Sequence, residues 1–227
     1  MSTLRNSPST VHGAALLGGI LAAPHRMVER VVTGSGGNFA AVDRAQVHRD
    51  GAWHWCVHLL ATNGHRVYLQ RRAEDRPRNP NRWTSTVSGH ITAEDATDQQ
   101  KLIANQHAAL VALTHEVLEE LRVKWDVHRD ARYLGDVDVT SSGGGETCNC
   151  HTMVFLIEVG EFNFEPTGEV AEVVAFNVDD VARALRARRG LPAADGDEHE
   201  FADNFAPVFD RFMSPEAGRE RTDMSGA

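Results

Sequence analysis

Apolar and polar residues alternate most clearly in the first half of the chain. Residues 39–48 and 53–61 (WHWCVHLLA) read as strands, with H-R-D-G-A turning between them. Asn63-Gly64 is a strong hairpin signal, and 66–71 is the returning strand. A short strand follows in W-T-S-T-V-S-G-H-I, ending near Gly89. The period then changes. Leu110, Leu113, Val117 and Leu121 recur at helical spacing and mark the core-facing stripe of a helix that runs to about Val123. Strands return at 132–140, 152–159 and 173–178. Asp179 is positioned to cap a helix over 180–189, with Gly190 as its stop and Pro192 beyond. A final amphipathic helix is predicted over 201–213.

Outside these elements the pattern weakens. Residues 1–8 read as a tail and 12–32 as a helix interrupted by Gly18, Gly19 and Pro24. GSGG at 34–37 reads as a flexible link, S-S-G-G-G-E at 141–146 as a flexible loop, and 165–172 as an acidic loop. The resulting organisation is an N-terminal tail and helix over 1–38, one domain over 39–213, and a mobile tail over 214–227.

Beside the apolar stripe of the 110–123 helix, Glu116, Glu119 and Glu120 stand at i, i+3 and i+4, so all three carboxylates share one face. Such a face is commonly a solvated acidic surface. Where it adjoins a buried stripe, a hard divalent cation with oxygen ligands, Mg²⁺ or Mn²⁺, relieves the like-charge repulsion. The loop over 71–82 holds Arg71, Arg72, Arg76, Arg78 and Arg82. It is either a solvated charged loop or a clamp for a diphosphate, since guanidinium forks bind phosphate bidentately. Trp53, Trp55 and Trp83 are core or strand-surface residues, or a platform on which a base or an apolar tail stacks.

Composition narrows the classes. The 227 residues carry a net charge of −9, which argues against nucleic acid as an electrostatic partner. Three cysteines, two in C-N-C, are no disulfide framework, and a reducing cytoplasm is expected. The early apolar run AALLGGILAA is too short to span a bilayer, so no membrane partner is expected.

The segment from Gly89 to Val123 resembles the Nudix box, a Gly, five residues, a Glu, seven residues and then R-E-U-x-E-E-x-G-U with U apolar. Asp95, next to Glu94, falls at the first acidic position, and Glu116, Val117, Glu119, Glu120 and Val123 match the second half. His115 replaces the family Arg and Arg122 the family Gly. The spacer is about a dozen residues longer. The extra piece, 96–109, extends the box helix backward from a cap at Thr97 or Asp98, or forms a separate helix, a lid or a subunit contact. With the His-bearing strand, the N-G turn, the L-x-x-R-R strand, the P-x-x-W segment and the G-H step, residues 43–176 resemble the Nudix branch containing isopentenyl diphosphate isomerase and its hydrolase relatives.

The resemblance implies an α/β (α+β) Nudix fold, a mixed β-sheet in an α/β/α sandwich. It also implies a Mg²⁺- or Mn²⁺-dependent hydrolase acting on the diphosphate linkage of a nucleoside or other small organic diphosphate. Glu116, Glu119 and Glu120 would be the catalytic and metal-binding residues, with the Gly89 carbonyl as a fourth ligand. Arg71, Arg72, Arg76, Arg78, Arg82 and Trp83 would bind substrate, and Glu146, Glu169 or Glu172 would serve as an outside base or ligand. A homodimer is compatible with the pattern. The isomerases carry a proton-transferring Cys before the G-H step where this chain has Ser88, a far poorer acid–base group. They also bind metal through three histidines and two glutamates. His48, His54 and His90 fall at the histidines, and Cys148 and Cys150 at the glutamates. That substitution implies a second site shifted toward Zn²⁺. An isomerase-like enzyme and a non-catalytic nucleotide sensor are the rival readings.

Overall fold

The computed structural model describes residues 29–98, 101–102, 104–143, 145–161, 163–164 and 167–214. The tail over 1–8, most of the helix expected over 12–32 and the tail after 215 lie outside the described residues. Strand β1 (Arg30–Ser35) turns into β2 (Asn38–Asp43), followed by α1 (Arg44–Asp50), β3 (Trp53–Thr62), β4 (Arg66–Arg72), β5 (Trp83–Thr84) and β6 (Val87–His90). Helix α2 (Ala93–Ala96), strands β7 (Thr97–Asp98) and β8 (Lys101–Leu102), and α3 (Gln106–Glu116) come next. Helix α3 continues through one wider turn, Val117–Leu121. Then follow α4 (Val127–Asp130), β9 (Arg132–Gly143), β10 (Glu146–Glu158), β11 (Val170–Asn177), α5 (Val178–Ala187), β12 (Leu191–Pro192), β13 (Glu198–His199) and α6 (Phe205–Met213).

The main sheet is mixed. Strand β3 pairs antiparallel with β1, β4 and β6 but parallel with β10, which in turn pairs antiparallel with β9. Strand β3 shows why helices cover both faces. Val57, Leu59 and Ala61 point to one face and share a core with Ala108, Ala109, Ala112 and Leu113 of α3. Cys56 and Leu60 point to the other and share a core with Val181 of α5 and Phe205 and Phe209 of α6. The period of two along the strand thus feeds two separate cores. No helix among the described residues is long and apolar enough to cross a membrane.

Several sequence expectations are corrected. Residues 30–32 are strand, not helix: Val31 and Val32 are fully buried opposite Val42 and Ala41. The 34–37 glycines do not form a flexible link. They close a hairpin in which Gly36 and Gly37 take φ of 61° and 86°, as a two-residue turn between twisted strands requires. The strand expected over 39–48 stops at Asp43, whose carboxylate caps α1 by accepting from the Gln46 amide at 2.9 Å. The loop expected over 141–146 is mostly strand, since Gly143 already pairs with Glu146. The box helix is not extended backward by Thr97 or Asp98. Asn105 caps it, accepting from the Ala108 amide at 3.0 Å; the extra piece follows α2, forms the β7–β8 pair and ends in the first turn of α3. Asn177, rather than Asp179, caps α5, and α6 begins at Phe205 rather than 201.

Candidate functional site

Strands β3 and β4 pair only beside their turn, at Ala61↔Tyr68 and Thr62↔Val67. Beyond it β6 stays on β3 and β5 on β4, so the sheet forks. Thr84 of β5, Ser88, Gly89 and His90 of β6, and Arg72 of β4 line a cavity of about 370 Å³.

The acidic wall comes from α3 and its wider turn. Glu116, Glu119 and Glu120 all line the cavity. Glu120 is 3 % exposed. The Gln70 amide donates to both its carboxylate oxygens, at 3.4 and 3.2 Å, and the Ser88 amide reaches one of them at 3.3 Å. Burial raises the Glu120 pKa to about 7 against the pull of these donors and of Arg72. Burial first, then the charges of Glu120, Glu119 and Glu169, hold Glu116 well above the ordinary carboxylate range. Glu119 sits on the exposed rim. Gly89 packs so closely on Glu116 that a methyl built there would overlap its carboxylate. Carboxylates that repel one another, one of them buried and another cradled against a glycine backbone, are a donor set that suits a hard divalent cation.

His115, in the place of the family Arg, bonds through Nδ1 to buried Asp95 at 2.9 Å, and Asp95 in turn accepts from the amide and hydroxyl of Thr92. Arg122 nevertheless takes the left-handed exit, at φ 59°.

The five loop arginines divide. Arg72, Arg76 and Arg78 line the cavity. Arg76 Nε and Arg78 Nη1 are buried without a hydrogen-bond partner. Arg71 is turned away onto Glu172 at 2.5 Å and Asp195 at 3.3 Å. Arg82 is turned away onto Asp203 at 2.6 Å and Glu200 at 3.2 Å. Trp83 corrects a second expectation. It is fully buried in the core, its indole N–H donating to the Leu191 carbonyl at 3.0 Å, and offers no face to the cavity. Trp53 stacks on His151 with ring centres 4.8 Å apart, and the Trp55 N–H donates to Gly34. Of Glu146, Glu169 and Glu172, it is Glu169 that lines the cavity, paired with Arg76 at 2.9 Å.

The histidines and cysteines converge in the same fork. His48, His54, His90 and Cys148 form one set whose ligand atoms lie within 4.8 Å of one another, and His54, Cys56, Cys148 and Cys150 form another. His48 Nε2 lies 3.2 Å from His90 Nε2 and 3.3 Å from Arg78 Nη2, so it accepts. Burial lowers the pKa of His90 to about 3 and of His58 to about 4, so both are neutral. Cys56, His58 and Gln70 are the site residues that sequence reasoning missed. The first two were within reach, since H-x-C-x-H at 54–58 puts three chemistry-bearing side chains on one strand face. Nothing local marked Gln70.

No family model matches the chain. Nudix hydrolase 3 of Arabidopsis thaliana is 32% identical over 83 residues, 36% of this chain and 9% of that protein. Isopentenyl-diphosphate Delta-isomerase of Rhodobacter capsulatus is 28% identical over 88 residues, 38% of this chain and 50% of that protein. The chain therefore matches half or less of the length of either relative. Among solved structures, DR0079 from Deinococcus radiodurans superposes with a TM-score of 0.49 at 13% identity, covering 76% of this chain and 92% of that one. A MutT protein from Methanosarcina mazei Go1 gives 0.46 at 15% identity, covering 71% and 93%. Over the stretch that the two sequence relatives share with it, this chain is a homologue of Nudix proteins.

Proposed function

We propose that this protein is a divalent-metal-dependent hydrolase that cleaves the diphosphate linkage of a small organic or nucleoside diphosphate. One observation carries the reading: half-buried Glu116 and buried Glu120 share a single cavity with Arg72, Arg76 and Arg78. Acid on one side and guanidinium on the other is what a metal–diphosphate pair demands.

Glu116, Glu119, Glu120 and the Gly89 carbonyl would hold Mg²⁺ or Mn²⁺. Such a cation supplies Lewis-acid polarisation of a phosphoryl oxygen and acidifies the attacking water. The remaining work falls to the chain. Arg76 and Arg78 offer buried, unpaired N–H groups to phosphate oxygens, and they orient the diphosphate and offset its charge. Glu169 stands beside Arg76 on the cavity wall and takes the proton from water. Gln70 and the Ser88 amide fix the Glu120 carboxylate in one orientation.

The test is a phosphate-release screen over nucleoside, sugar-nucleotide, dinucleotide and prenyl diphosphates, with and without Mg²⁺. Metal-dependent release from one class is expected. Tight nucleotide binding with no release from any class would overturn the reading in favour of a sensor. Solvent deuterium entering isopentenyl diphosphate without release would overturn it in favour of an isomerase. No deuterium incorporation is expected, because Ser88 has no titratable thiol.

A further inference from the structure

Cys56, Cys148 and Cys150 line the cavity, and the hydrolytic reading uses none of them. We propose that His54, Cys56, Cys148 and Cys150 form a closed four-ligand zinc site that ties β3 to β10 beside the cavity.

The topology brings the four donors together. Strands β3 and β10 are parallel neighbours with Cys150 opposite His54 and Thr152 opposite Cys56. Positions 54 and 56 on one strand, and 148 and 150 on the other, fall on the same face by the period of two. Cys148 Sγ and Cys150 Sγ lie 3.5 and 3.4 Å from His54 Nε2. A tetrahedron with Zn–S and Zn–N bonds near 2.3 and 2.0 Å has S–N edges of about 3.5 Å. The Cys148–Cys150 sulfur separation is 3.2 Å and the Cys56–Cys150 separation 2.6 Å. The same bond lengths give S–S edges of about 3.8 Å, so both edges open on binding, the first by about 0.5 Å and the second by about 1 Å.

The histidine is already set for a metal. His54 Nδ1 lies 2.9 Å from the Ala52 carbonyl, an oxygen that only accepts. Nδ1 therefore carries the proton, and Nε2 presents its lone pair to the sulfurs. This is the outer hydrogen bond that metal-bound histidines ordinarily make. All four residues are buried, and none of the cysteines is in a disulfide. The thiols bond to one another and to the neighbouring imidazoles, Cys148 reaching His48 and His90 as well as His54, while Cys56 and Cys150 belong to the second set alone.

Donor chemistry selects the ion. One imidazole and three sulfurs suit zinc and are poor ligands for Mg²⁺. The histidine-rich alternative, His48 with His54, His90 and Cys148, is less suited. His48 Nε2 already accepts from the Arg78 guanidinium, which sets a fixed cation in the ligand shell. With the cysteine set, Arg78 stays outside and its charge offsets the net −1 of zinc with three thiolates and a neutral imidazole. Four protein ligands leave no open position, so the site is structural. It joins residues 94 positions apart in the chain, and it stands whether or not the cavity cleaves diphosphates.

Elemental analysis of the full chain, purified without added metal, tests this alongside Co²⁺ replacement and X-ray absorption at the zinc edge. Expected results are about one zinc per chain, a shell of three sulfurs and one nitrogen, and a thiolate-to-cobalt band in the near ultraviolet. In Cys56→Ser that band falls by about a third or the metal is lost, because one of three thiolates is gone. His48→Ala retains both metal and band. Absence of stoichiometric zinc, a Cys56–Cys150 disulfide in the unreduced protein, or zinc kept in Cys56→Ser and lost in His48→Ala would each overturn the proposal. Should Cys56→Ser not fold, the sulfur count of the unmodified protein decides.

Discussion

The Cα of Gly89 rests against the Glu116 side chain, and a methyl group built there would overlap Oε1, Cδ and Cγ together. The glycine is set by this contact, not by its backbone angles, since it is absent from the positive-φ residues. Gly89→Ala is therefore expected to fold normally while displacing Glu116. Misplacing one ligand by about 1 Å costs on the order of a hundredfold in rate. Circular dichroism alongside Mg²⁺ titration of activity checks this; unchanged half-saturation and rate would mean that the cradle does not position Glu116.

Glu120 is the most deeply buried of the three box carboxylates, held by Gln70 and the Ser88 amide. Glu120→Gln preserves its shape and removes its charge. Metal-dependent turnover is expected to fall on the order of a hundredfold or more. The metal-free variant is expected to melt above the metal-free parent at pH 8, because a buried anion has been removed. Full turnover in the variant would exclude Glu120 from the metal site.

The same burial gives the metal-free protein an inverted pH dependence. The folded-state pKa of Glu120 is raised from 4.5 to about 7, and that of Glu116 is also raised. Groups raised in this way contribute fully below their unfolded pKa and lose that contribution as pH climbs through the folded value. Melting temperature without metal should fall between about pH 5 and 8, and saturating Mg²⁺ should flatten the slope by stabilising the ionised form. Calorimetry across that range with and without Mg²⁺ is the measurement. A metal-free melting temperature that rises with pH would contradict the burial of these carboxylates.

Arg76 and Arg82 lie on one loop and face opposite ways. Arg76→Ala removes a cavity guanidinium and is expected to raise KM by about tenfold or more, in line with a charge-assisted bond of ~1.5–3 kcal/mol. Arg82→Ala is expected to leave KM within about twofold, because an exposed ion pair contributes under ~1 kcal/mol. Steady-state kinetics on the two variants, with the best substrate of the screen, reads the difference. Equal effects would mean that the loop acts as a whole and not through its inward arginines.

Much of this protein was legible before its structure. The period of two in 53–61, the N-G turn and the helical spacing of Glu116, Glu119 and Glu120 reach no further than a turn or a strand. Local sterics determine them, so the sequence alone located them. Arg122 is a middle case. The missing glycine is visible in the sequence, but exposed Arg122 still takes φ 59°, its amide donating to the Leu118 carbonyl, at a cost of about 1 kcal/mol. Other features depended on partners distant in the chain. Alternation says that Cys56 and His54 share a face, but not that β10 runs parallel beside them and supplies Cys148 and Cys150. Five arginines in one loop look equivalent until Glu172 and Asp203 draw Arg71 and Arg82 outward. Sequence periodicity determines which side of an element is buried. Only the tertiary structure, through pairings across some hundred residues, decides what that side meets, because loop closure over such lengths is governed by the whole fold and not by any local preference.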